Sequence, residues 1–350
     1  MKISIGTKIR NGPWGGGNLF AINLKNYLES KGHLVYLDLS ENDLDLILIT
    51  EPRRTSESSA FTHDEVNSYL KYVNSNTLVV HRINECDERK GTNYVNKYLI
   101  HANKVADATV FVSTWLKDLF IQNGLKNTNL NVILSGANSE IFNSSNKSYW
   151  NGFEPLKIVT HHWGANWNKG FEVYSKLDKY LSKNKEFEFT YIGNLPRNFT
   201  FKNSKNILPI SGEELSSEIK KNHIYITASK FEPSGNHHIE AAQCGLPILY
   251  INSGGIPEYC DGFGIMFNTE NLFEKLEEIK INYNYFEEKM KDYKFNSNMM
   301  CLEYEDLFLK LLKNKDEIVS SRKILKDFKI QNRHYFNLKR KIYRNDKRKF

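Results

Sequence analysis

Residues 228–258, ASKFEPSGNHHIEAAQCGLPILYINSGGIPE, carry the densest pattern in the chain. An apolar run over 223–227 predicts a strand, and Glu232-Pro233-Ser234-Gly235 predicts a turn after it. A helix is expected over 236–244, stopped by Gly245 and Pro247, with another strand over 247–251. Gly235 at the helix entry lets backbone approach a ligand closely. The free amides near Gly235, Asn236 and His237 suit an anion such as a diphosphate. Glu240 follows Asn236 by four residues, so it lies on the same helix face one turn deeper. A carboxylate would repel phosphate, so Glu240 suits hydroxyls such as those of a ribose. Glu232, at the mouth, suits the hydroxyls of a sugar.

The same alternation runs outward in both directions. In the first half, strands fit at 2–6, 34–38, 46–50, 77–81, 109–112 and 132–134, with helices near 18–31, 64–74, 92–106 and 115–123. In the second, strands fit at 156–160, 188–193, 206–208, 223–227 and 247–251, with helices near 169–182, 212–220, 236–244 and 270–281. Thr62 with Glu65, and Ser211 with Glu214, have capping-box spacing. Such alternation predicts an α/β chain with two Rossmann-like domains, each a parallel sheet covered by helices. Ligands bind at the carboxyl ends of such strands, which predicts a site in the cleft between the domains. The polar stretch 143–152 is the expected linker. The predicted division is 1–145, 153–290, a helix over 291–312 returning toward the first domain, and a basic tail over 313–350.

Composition narrows the class. In 350 residues, 40% are hydrophobic and 25% charged, which is globular. No apolar run is long enough to span a membrane, and the opening MKISIGTKIRNGPWGGG is too weakly apolar for a signal peptide. Four scattered cysteines, 86, 244, 260 and 301, argue against a disulfide scaffold or a zinc ribbon. A cytoplasmic chain follows as the expectation. The net charge of +7 is uneven: residues 313–350 hold 14 Lys+Arg and 4 Asp+Glu, which leaves 34 and 37 for the body. Aromatics His334, Tyr335, Phe336, Tyr343 and Phe350 interleave with the tail's charges. A solvated helix and a peripheral contact with an anionic membrane surface both fit. Nucleic acid is not the expected partner, because no reader module accompanies the tail.

The spacing Glu232-x7-Glu240, with Gly245-Leu246-Pro247 and Ser253-Gly254-Gly255-Ile256-Pro257-Glu258 after it, resembles the signature of the retaining glycosyltransferases of family 4, which have the GT-B fold. The resemblance spans roughly residues 1–312 in order, although only 228–258 is specific. It implies a nucleotide-sugar donor, a glycan or lipid-linked acceptor, no metal and no cofactor. It implies transfer with retention, in bacterial surface glycan or glycolipid assembly. In that family the first Glu contacts the transferred sugar and the second the ribose, which maps to Glu232 and Glu240. The backbone over Ser234, Gly235, Asn236 and His237 would hold the diphosphate. Lys169-Gly170 resembles the family's lysine that neutralises the leaving group, and Gly15-Gly16-Gly17-Asn18 its glycine loop. Ile210, within Ile207–Ser211, stands where relatives seat the base.

There are departures. The family's arginine before the lysine is missing; His161-His162-Trp163-Gly164-Ala165-Asn166-Trp167-Asn168 occupies that segment, so either a histidine or asparagine supplies the second donor or an arginine such as Arg82 comes from elsewhere, and His162 and Trp163 are counted as substrate-binding candidates. Adjacent histidines on an extended chain point to opposite sides, against a metal pair. A family histidine near the sugar has three candidate equivalents, His81, Arg82 and Asn84, and His81 fits a structural role equally. Asp43-Leu44-Asp45 resembles a metal motif of another fold but lacks a second acidic cluster. Two other functions compete. A non-catalytic sugar-nucleotide-binding subunit would bind without turnover. An NAD-dependent oxidoreductase could use Asp38, yet Gly12, Gly15, Gly16 and Gly17 do not fit Gly-x-Gly-x-x-Gly.

Overall fold

The computed structural model describes residues 1–10, 12, 15–322 and 332–345. The chain divides into two compact units, Met1–Ile133 with Met300–Phe350, and Leu134–Met299.

In the first unit the strands are β1 (Lys2–Ile5), β2 (Leu34–Tyr36), β3 (Leu46–Ile49), β4 (Leu78–Ile83), β5 (Ala108–Phe111) and β6 (Leu130–Val132). They alternate with α1 (Gly16–Ser30), α2 (His63–Tyr72), α3 (Asp87–Lys90), α4 (Val95–Ala102) and α5 (Thr114–Gln122). The sheet order is β2-β1-β3-β4-β5-β6, and every pair is parallel. Leu46–Ile49 is buried on both faces, as a helix-covered parallel strand requires. The Thr62–Glu65 capping box forms: the Glu65 amide donates to Thr62 Oγ1 at 3.3 Å and the Thr62 amide to Glu65 Oε2 at 2.9 Å. The helix expected over 92–106 is shorter, because the backbone tightens into a 3₁₀ turn at Asn103–Val105.

In the second unit the strands are β7 (Leu156–His162), β8 (Phe187–Gly193), β9 (Lys205–Ile207), β10 (Ile224–Thr227), β11 (Ile248–Ile251) and β12 (Gly264–Phe267). Helices α6 (Phe171–Leu181), α7 (Gly212–Lys220), α8 (Asn236–Gln243), α9 (Ile256–Cys260), α10 (Leu272–Ile281) and α11 (Tyr283–Lys289) join or follow them. The order is β12-β11-β10-β7-β8-β9, again all parallel. Strand order reverses between β7 and β10, and ligands bind at such a switch point. One local expectation fails, and one strand is new. Ser211 precedes α7 without any side-chain cap bond. β12 is not among the expected strands: its sequence Gly264-Ile265-Met266-Phe267 opens on a glycine and has a single β-branched residue, and that glycine has no room for a Cβ, which would stand 1.8 Å from the Ile248 carbonyl oxygen.

The boundary falls earlier than the polar stretch 143–152. That stretch belongs to the second unit, where Lys147 Nζ donates to the Gly245 carbonyl at 2.6 Å and burial lowers its pKa. The remaining helices are α12 (Ser297–Lys313), α13 (Lys315–Ser321) and α14 (Arg333–Asn345). From Met300 onward the chain is part of the first unit: Met300, Cys301, Tyr304 and Phe308 share a core with Ile3, Leu24, Leu48 and Val110. The basic segment is not wholly a solvated tail. Arg322 Nη2 lies 2.5 Å from Asp107 Oδ2, Phe336 is fully buried beside Tyr69, and Arg340 Nε donates to Glu65 Oε1 at 2.8 Å. Residues 323–331 and 346–350 of that expectation, Phe350 among them, lie outside the described residues.

Candidate active site

The second unit brings its predicted residues together at the β7–β10 switch. β7 ends in His161-His162, and a tight turn at Trp167–Lys169 follows. Gly170 has φ 98°, and a Cβ there would stand 2.5 Å from the Ala228 Cβ. Glycine therefore seats the turn on the exit of β10 and delivers Lys169 to Glu232. Lys169 Nζ donates to Glu232 Oε2 at 2.6 Å, and both residues are buried.

Glu232 is held from behind by Ser253-Gly254-Gly255. The Gly255 amide donates to the Glu232 carbonyl at 2.8 Å, and the Phe231 amide to Ser253 Oγ at 2.8 Å. Gly254 has φ 65°, and a Cβ there would stand 2.3 Å from the Glu232 carbonyl oxygen. This is the structural reason for the small residues after β11. α8 then starts with Gly235 at its N-cap (φ 75°) and no side-chain cap, leaving the first-turn amides for another acceptor. No acidic residue lies within that first turn; the Glu232 side chain, paired with Lys169, packs beside Gly235 at its entry. Ser234 and Asn236 are half-buried at this entry.

Four histidines crowd beneath it. His161 Nε2 lies 2.9 Å from Glu240 Oε2. His162 Nε2 lies 2.8 Å from the Tyr174 hydroxyl, so the neighbouring histidines take different partners. His237 Nε2 lies 2.9 Å from Thr227 Oγ1, and its ring centre is 4.5 Å from that of His162. Burial, then nearby positive charge, holds His162 and His237 well below the ordinary imidazole pKa. Burial brings His238 to about 3. The rings of His162, His237 and His238 are therefore neutral at pH 7, packed rather than cationic.

A search of curated proteins gives no match. Residues 165–294 match the model of the family described as Glycosyl transferases group 1. Solved structures agree over a wider span. A glycosyltransferase from Rickettsia africae is 16% identical, with a TM-score of 0.62 over 89% of this chain and 99% of its own. HepE of Anabaena, in complex with UDP, is 13% identical, with a TM-score of 0.66 over 89% of this chain and 100% of its own. Sucrose-phosphate synthase from Thermosynechococcus elongatus is 14% identical, with a TM-score of 0.60 over 89% and 99%. This chain has the GT-B glycosyltransferase fold.

Within that GT-B chain the first-unit candidates fare unevenly. His81 is fully buried, its Nδ1 lies 3.1 Å from Asn103 Nδ2, and burial depresses its pKa to about 3. This burial fits the structural role that the sequence also allowed for His81. Arg82 is also buried, its guanidinium 3.9 Å over the Phe20 ring. Asn84 is half-buried just beyond β4. Gly15 and Gly17 open α1 with nothing among the described residues within 4 Å of a hypothetical Cβ at either, and Gly16 between them is half-buried. Asn18 clasps the loop, accepting from the Arg10 amide at 2.9 Å and donating to its carbonyl at 2.8 Å. In the second unit Trp163 is 55% exposed after β7, and Ile210 is half-buried after β9. Asp43 is committed to Lys2, 2.7 Å away.

The residue the sequence left out of the site is His161. Two adjacent histidines at a strand end could each have faced the site, and only packing distinguishes them.

Proposed function

We propose that this chain transfers a glycosyl group from a nucleoside diphosphate sugar to an acceptor hydroxyl, with retention at the anomeric carbon. The Lys169–Glu232 pair at the uncapped start of α8, with Glu240 one turn on, carries this reading. The amides of Asn236 and His237 bind the diphosphate, Lys169 neutralises the leaving oxygen, Glu232 faces the sugar and Glu240 the ribose. The C1–O bond to phosphate breaks as the acceptor oxygen attacks C1 on the same face, and the acceptor proton passes to the departing phosphate oxygen. Positive groups aimed at the charge that develops lower the barrier most when they are already in place. The family match and the neighbour bound to UDP support this reading. A role in surface glycan or glycolipid assembly is what the family resemblance suggests.

A thermal-shift screen of nucleoside diphosphates and their sugars, on wild type and Lys169→Ala, tests it. A nucleotide at 100 times its Kd adds about 2.7 kcal/mol to stability. One nucleotide series should stabilise the wild type, and the matching sugar nucleotide should release diphosphate with an acceptor present. Binding without any release would favour a non-catalytic binding subunit. No shift from any nucleotide would sink both readings.

The acceptor side includes a membrane surface. α14 turns Phe336 inward, packs the half-exposed Tyr335 against Tyr72, and leaves Leu338 and Ile342 outward, flanked by Lys339 and Lys341. An apolar stripe bordered by cations suits an anionic leaflet. Leu338→Ser with Lys339→Glu and Lys341→Glu should lose binding to vesicles containing anionic lipid. Retained binding would count against this contact.

A further inference from the structure

One oxygen of Glu240 is fixed by the chain itself. Glu240 Oε2 lies 2.9 Å from His161 Nε2, and each side chain is 9% exposed. The imidazole is held in turn by Tyr225, fully buried on β10: the hydroxyl lies 3.3 Å from His161 Nδ1 and accepts the His161 amide at 3.1 Å. The rings meet edge to face, their centres 5.6 Å apart. Nε2 faces the carboxylate as a donor, and the tyrosine hydroxyl stands 3.3 Å from Nδ1 and donates to the His161 carbonyl oxygen at 3.3 Å. A ring bonded at Nε2, with its Nδ1 against a buried hydroxyl and its edge packed on an aromatic, does not turn freely. It acts on the carboxylate as an orienting partner acts on a metal ligand or catalytic base.

We propose that His161 is a positioning residue for nucleotide recognition: by holding Oε2 it turns Oε1 toward the ribose hydroxyls and sets the preference for ribose over deoxyribose. This rests on the nucleotide reading above. It also assigns the first of the two adjacent histidines a task different from that of the second. His162, bonded to Tyr174, has no bond to either signature glutamate.

Calorimetric titration of the full chain with UDP, 2′-deoxy-UDP and 3′-deoxy-UDP tests it, after ADP and GDP are tried in the same way. Wild type, Glu240→Ala, His161→Ala, His161→Gln and Tyr225→Phe are compared. Wild type should prefer the ribonucleotide over at least one deoxy form by about tenfold, the worth of one hydrogen bond to a charged group. Glu240→Ala and His161→Ala should both bring that ratio close to one, with deoxynucleotide affinity little changed. His161→Gln, whose amide can reach the same oxygen, should restore most of it. Tyr225→Phe should erode it in part, and it decides the matter if His161→Ala fails to fold. A ratio lost in Glu240→Ala but intact in His161→Ala and Tyr225→Phe would make His161 a packing residue and overturn the proposal. No binding of any nucleoside diphosphate to wild type would overturn the nucleotide reading itself, a different result from an unchanged ratio.

Discussion

The ammonium of Lys169 and the carboxylate of Glu232 lie 2.6 Å apart, with side-chain exposures of 11% and 6%. The pair joins the turn after β7 to the loop after β10, two segments that meet only because β7 and β10 are sheet neighbours. A buried pair of this kind is costly to break on one side, because the survivor stays desolvated.

Lys169→Ala should therefore destabilise the protein by about 3 kcal/mol, and Glu232→Gln added to it should recover part of that loss. The double variant stays inactive if both groups serve the reaction. Urea unfolding of the two singles and the double, beside diphosphate release, checks both statements. Additive losses would mean that the pair is not coupled.

Stability should fall as the solution is acidified below pH 6.5. His162, His237 and His238 are held below their ordinary value of 6.5, and His81 at about 3, mainly by burial. These rings stay neutral when folded but take up protons in the unfolded chain. The unfolded state thus binds more protons between about pH 6.5 and the depressed values, so acid favours it. Each ring contributes a slope of about 1.4 kcal/mol per pH unit in that window. His238→Leu should remove one such increment; an unchanged slope in urea midpoints between pH 6.5 and 4.5 would contradict it.

Two glycines should respond in opposite ways. Gly254→Ala would force a Cβ to 2.3 Å from the Glu232 carbonyl oxygen at φ 65°, so it should cost at least about 2 kcal/mol and displace Glu232. Gly17→Ala, within α1, meets nothing within 4 Å among the described residues, and should stabilise that helix by up to about 1 kcal/mol. Thermal melts separate the two. If Gly17→Ala melts higher yet loses turnover, the loop admits a ligand close to its backbone.

Phe336 is fully buried against Tyr69, with ring centres 5.8 Å apart. Phe336→Ala should cost about 3 kcal/mol through lost contact and the cavity left behind. It should also speed proteolysis within the last thirty or so residues. Unchanged unfolding would mean that α14 is not fastened to α2.

How much of this was visible in the chain differs from element to element. β10, the Glu-Pro-Ser-Gly turn, α8 and β11 follow from an apolar run, a glycine entry and a Gly-Leu-Pro stop, all local signals. The Thr62 box formed because residues three apart are placed by the helix itself. The Ser211 box has the same spacing and no cap bond, since spacing permits a cap and local geometry decides it. His81 matched a family position by order, yet its ring is enclosed, because burial depends on Asn103 and on the strands either side.

The sequence by itself determined two parallel α/β units, the Glu232–Glu240 spacing and the uneven charge. These depend on periodicity and short-range chemistry. Only the tertiary structure decided that β7 lies beside β10, that Lys169 meets Glu232, that His161 rather than His162 holds Glu240, and that Phe336 is core. Each is a contact between residues far apart in the chain. Such contacts are selected by how well whole surfaces pack, and no short window of sequence contains that information.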